Sequence, residues 1–202
     1  MVASMPYGQE KIYSDRGTVL LSEGCRPWDR KAVPQYANKW LCSLPGAIML
    51  QEVFALLIRE VNESDLDSLQ ELYLYLHENE KLPETPELIS LWREMIADRD
   101  YHILVGEVDG RIVSSVTVIV IKNLTRCMRP YALIENVVTH SDYRCRGYAG
   151  ALMQKAVDIA GSSGCYKVML LTGAKDENTL RFYEKCGFNS KDKTAFIKWI
   201  EE

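Results

Sequence analysis

Between residues 144 and 150 the chain reads Arg-Cys-Arg-Gly-Tyr-Ala-Gly, a run suited to holding an anion. Arg144 and Arg146 bring two guanidiniums, and Gly147 permits the tight turn needed between a strand and a helix. Ala149 and Gly150 place no bulk in front of the backbone. The first N–H groups of a helix have no intrahelical acceptor and meet the positive end of its dipole. A phosphate is therefore the expected guest of the amides from Arg144 and Cys145 through Tyr148 to Gly150. The run is not GxxxxGK[ST], and it lacks the three-glycine spacing of dinucleotide-binding folds. A mononucleotide kinase and a Rossmann dehydrogenase are both excluded.

A second element lies further along: Asn178, four residues, Tyr183, three residues, then Gly187-Phe188. With the R-x-x-G-x-A spacing of Arg144 to Ala149, it resembles the paired signatures of the GNAT superfamily of acetyl-CoA-dependent N-acetyltransferases. The match departs at Cys145, where members commonly carry glycine, but the N–H donor is kept. The resemblance runs from Ala55 to Glu202. It implies an α/β fold: a mixed, largely antiparallel sheet flanked by helices, with a splayed pair of central parallel strands and acetyl-CoA in the opening. Backbone groups of Val137, Val138 and Thr139 would then pair with the pantetheine arm like an added strand. The loop from Arg144 to Gly150 would take the diphosphate, and Asn178 would reach the cosubstrate from the opposite wall.

Transfer of an acetyl group to an amine needs a neutral nucleophile, a polarised thioester carbonyl and a proton for the leaving sulfur, all in one ternary complex. By the same resemblance, Glu135 is the candidate general base, acting directly or through water. Tyr183 is the candidate acid for the thiolate, and a backbone N–H near Val138 is the expected oxyanion donor. His140 reads as a surface residue rather than a base. The expected reaction is direct acetylation of the primary amine of a small molecule. The alternatives are a protein or peptide amine as acceptor, or a non-catalytic acyl-CoA sensor.

These residues need a framework, and its periodicities are legible. Ala55 to Val61 reads as a strand and Ser64 as a helix cap. Leu66, Leu69, Leu72, Tyr73 and Leu76 then recur at helical spacing within 65–80. Thr85 before Pro86 starts a second helix running to about Ala97. Two alternating runs, 101–108 and 111–121, flank Asp109-Gly110, a dipeptide suited to a tight hairpin. After a loop from Asn123 to Pro130 come a strand over 131–140, a helix to about Gly161, and a buried strand over 166–172. Asp176 to Cys186 reads as a helix and Phe188 to Ile200 as a closing strand. A hairpin with a strand-helix-strand unit requires a mixed sheet.

Residues 1–50 differ, with recurrent Gly and Pro and no sustained period. They read as an N-terminal extension of uncertain structure, leaving 51–202 as the acetyltransferase domain. Across all 202 residues, 24 basic against 28 acidic side chains give a net charge of −4, and this disfavours a nucleic-acid partner. No apolar run suggests a membrane partner or a secretory leader, so a cytoplasmic location is expected. Six scattered cysteines and three distant histidines fit neither a disulfide framework nor a metal site, and reduced thiols are expected. A homodimer is possible.

Overall fold

The computed structural model describes residues 55–76 and 80–200. The expectation of an N-terminal extension falls on residues outside that range. Five strands form one sheet in the order β1-β2-β3-β4-β5: β1 Leu57–Glu60, β2 Tyr101–Val108, β3 Arg111–Ile121, β4 Tyr131–Thr139 and β5 Val168–Leu170. The first four pair antiparallel, and β4 with β5 is parallel. The helices are α1 Leu66–Tyr73, α2 Pro86–Ala97, the short α3 Thr125–Met128, α4 Tyr148–Ser162 and α5 Glu177–Lys185.

The sheet is covered on both faces. On one, Leu152, Met153, Ala156 and Ala160 of α4 pack against Leu104, Val116, Val118, Ala132 and Ile134. Alternation sends the intervening residues Ile103, Val105, Ile112 and Val138 to the other face, where they meet Leu69 and Leu72 of α1 and Trp92 of α2. At Gly106 a Cβ would approach Leu152 and Leu56 to 3.0 Å each, so β2 has glycine where α4 presses closest.

Several elements form as the sequence dictates. Asp109 and Gly110 take positive φ between β2 and β3, and the Thr85 hydroxyl caps α2 by accepting from the Leu88 N–H. Others differ. Asn62, not Ser64, caps the 3-10 turn before α1, in a reciprocal box with Asp65. That Asp65 also holds Arg59, which spans to Glu107 of β2. The first helix stops at Tyr73. The loop after β3 contains α3, where Arg126, Cys127 and Met128 all have positive φ. Cys127 is disulfide-bonded, against the expectation of reduced thiols, whereas Cys145, Cys165 and Cys186 are free.

The largest departure is the closing strand. Residues 188–200 form no strand, and Phe196 and Trp199 are 92% and 82% exposed. A strand exists only with a partner, and β5 offers a ladder of three residues. In the absence of that strand, the parallel pair lies at the edge of the described sheet rather than at its centre. The splay itself is present. Pairing of β4 with β5 stops at Ile134 opposite Leu170, while β4 continues to Thr139.

Candidate active site

A bulge shapes β4 where it leaves β5 behind. Thr117 faces Glu135 and Ser115 faces Val138, so β3 spends one residue between those pairs and β4 spends two. Asn136 absorbs the excess with φ 51. Such a bulge leaves a residue outside the ladder and re-aims its neighbours. Here Asn136 is exposed, Val138 is buried and Glu135 is half-buried.

Burial raises the Glu135 carboxyl above the ordinary carboxylate range. Its charge acts on two tyrosines. Tyr183 of α5 is raised by burial first and then by Cys186 and Glu135, with the Thr172 hydroxyl pulling the other way. Tyr101 of β2 is raised by burial and by Glu135. The structure thus brings Glu135 and Tyr183, 48 positions apart in the chain, within electrostatic reach of one another.

Below the bulge, Ser115 and Thr117 are fully buried. Among the described residues neither hydroxyl has a partner in hydrogen-bonding geometry, yet both act, with Asn136, on the hydroxyl of Tyr73 at the end of α1. Tyr73, Tyr101, Ser115, Thr117 and Asn136 are additions to the residues singled out from the sequence. Their only signal there was helical or alternating spacing, which reads as core.

The phosphate-binding candidate opens α4. Gly147 is the N-cap at φ 84 with no side-chain cap, and the first helical bond runs from the Ala151 N–H to the Gly147 carbonyl. The amides of Tyr148, Ala149 and Gly150 therefore precede the ladder, as anion capture requires. Cys145 sits at φ 60, a backbone region that disfavours a side chain by roughly 1–2 kcal/mol. Arg144 and Arg146 are exposed and tied to the same loop: Arg144 Nε donates to the Thr139 carbonyl at 3.1 Å and Arg146 Nη2 to the Asp142 carbonyl at 2.9 Å. Asn178 is exposed on the first turn of α5, and the cap there is Asp176. His140 lies at the end of β4 and is 7% exposed, not at the surface.

The gap past Ile134 is thus bordered by β4 from Glu135 to Thr139, and β4 leads through His140 into the loop at Gly147. Among the described residues no group of three or more His, Cys, Asp or Glu side chains is placed to hold a metal ion, and no helix is long and apolar enough to cross a membrane.

Comparison with known proteins agrees with this architecture. The model of the acetyltransferase (GNAT) family matches residues 66–188. A glucosamine 6-phosphate N-acetyltransferase of Trypanosoma brucei brucei is 33% identical over 150 residues, covering 71% of this chain and 96% of that protein. A putative acetyltransferase from Agrobacterium tumefaciens is 38% identical, with a TM-score of 0.65 over 70% of this chain and 99% of that one. The glucosamine-6-phosphate N-acetyltransferase of Arabidopsis thaliana is 27% identical, with a TM-score of 0.64 over 73% and 99% of the two chains. A bulged strand parting from a parallel neighbour, both signatures in place and these relatives lead to one conclusion: the chain belongs to the GNAT acetyltransferase family and is an acyltransferase.

Proposed function

We propose that the protein transfers an acetyl group from acetyl-CoA to the primary amine of a small molecule, directly and within a ternary complex. The observation that carries this reading is the parting of β4 from β5 past Ile134, which leaves the edge from Glu135 to Thr139 open on the strand that leads into the loop opening α4. A carboxyl raised by burial holds a proton more tightly than a solvated one, which suits a base, directly or through water. A phenol raised by burial stays protonated at neutral pH, which suits the acid that meets the leaving sulfur.

The amides at the start of α4, with Arg144 and Arg146, fit the diphosphate of the cosubstrate, and the exposed Asn178 fits its other side. The edge of β4 from Val137 to Thr139, which has no ladder to β5, fits the amide-bearing arm of the cosubstrate. The bound thioester supplies the activated acyl group. Residues of β4 at the bulge are the candidates to donate to its carbonyl oxygen. The relatives named above make an amino-sugar phosphate the first acceptor to try.

The test is thiol release from acetyl-CoA over a panel of primary amines that includes glucosamine 6-phosphate. At least one amine should stimulate release. Binding of acetyl-CoA without turnover on every amine would favour the non-catalytic alternative. Tyr183→Phe should lower kcat by roughly 10²-fold while changing coenzyme A affinity less than about twofold, since general-acid assistance acts in the transition state alone. Equal losses in both would remove Tyr183 from that role.

A further inference from the structure

His140 joins the end of α1 to the turn that leads into α4. Its Nε2 lies 2.8 Å from the Tyr75 hydroxyl, just past α1, and 2.9 Å from Arg111 Nη2 on β3. The Asp142 N–H meets Nδ1 at 3.2 Å. The rings of Tyr75 and Tyr143 flank the imidazole, at centroid distances of 4.5 and 5.5 Å. The guanidiniums of Arg111 and Arg146 lie over Tyr143 at 5.9 and 5.1 Å.

Both ring nitrogens are therefore committed. A neutral imidazole has one lone pair: the Asp142 N–H can only donate and takes it at Nδ1, so Nε2 carries the proton toward the Tyr75 hydroxyl, and no lone pair is left to face a substrate amine. The contacts extend in opposite directions. Through Tyr75 they reach the end of α1. Through Tyr143, Asp142 and Arg146 they reach the turn that ends at Gly147.

We propose that His140 is a positioning residue that couples the end of α1 to the loop that opens α4, on the cosubstrate side. Tyr75 and the loop 144–150 respond to one another through its ring, although Tyr75 lies outside the phosphate loop. The assignment of that loop to the cosubstrate rests on the function proposed above.

The experiment is a double-mutant cycle in the full chain. Tyr75→Phe removes one hydroxyl and is made in the wild type and in His140→Phe, with His140→Gln as a second background should the first fail to fold. Calorimetry with coenzyme A and hydrogen exchange of the amides 144–150 are both read. In the wild type, Tyr75→Phe should weaken coenzyme A binding about fivefold, the worth of one hydrogen bond, and speed exchange of those amides. With His140 replaced, it should do neither. Equal effects in both backgrounds, or no effect in the wild type, would overturn the coupling. A wild-type chain that binds no coenzyme A would overturn the proposed function instead, and the exchange arm would still decide the coupling.

Discussion

The Glu135 carboxyl is raised by burial alone, and this costs stability in return for basicity. Between the ordinary glutamate value of about 4.3 and the raised folded value, the native chain binds more protons than the unfolded one. Its stability therefore falls as pH rises through that window. Glu135→Gln removes the charge that must be desolvated, so the variant should unfold at higher urea than the wild type at neutral pH. It should also lose at least about 10²-fold in turnover and the acid limb of its pH-rate profile. A variant that is less stable, or as active, would assign Glu135 a structural role. At this scale the family resemblance singled out Tyr183 from within one of its signatures and Glu135 from its place on the strand before the expected pantetheine contacts. In the sequence, Tyr73 and Tyr101 read only as members of periodic runs and His140 as a surface residue, which its burial corrects. Tyr75 meets His140 across 65 positions, and nothing local in either stretch records such a contact.

Elements were legible where their own residues decide them. Asp109-Gly110 specifies its hairpin and Thr85-Pro86 its helix start through backbone preferences acting within a few residues. They were less legible where a distant partner decides. The cap of the 3-10 turn before α1 depends on Asp65, whose carboxylate accepts from the Asn62 N–H at 2.7 Å and from Arg59, itself bridged to Glu107 of β2, at 2.6 and 3.0 Å. Burial pushes the Asp65 carboxyl up, but Arg59 and Asn62 more than offset this, and it lies below its ordinary value. That contribution is fully present above the ordinary aspartate range and is lost as pH falls through the lowered folded value. Asp65→Asn should therefore lower stability by about 2 kcal/mol at neutral pH, and less at acid pH, read as urea midpoints across pH. A constant difference at every pH would show that the loss is packing rather than charge.

Over the whole molecule, the parallel pair and the three layers followed from the order of elements, whereas the fate of residues 188–200 did not. Their apolar composition predicts a strand, but composition cannot say whether a ladder is on offer. The consequence is optical. Trp199 is 82% exposed, while Trp92 is 4% exposed with its indole N–H donating to the Glu63 carbonyl at 3.1 Å. Trp199→Phe should lower acrylamide-quenchable emission, and Trp92→Phe should leave the Trp199 component in place. An unquenchable Trp199 would mean that another surface covers the tail in solution, and sedimentation would show whether a second copy supplies it.

Past Ile134, β4 is braced by β3 on one side and, among the described residues, by no strand on the other. The candidate reaction centre thus occupies the least supported stretch of the sheet. Stiffness there must be borrowed from whatever fills the gap, so the final alignment of Glu135 with Tyr183 belongs to the complex and not to the empty enzyme.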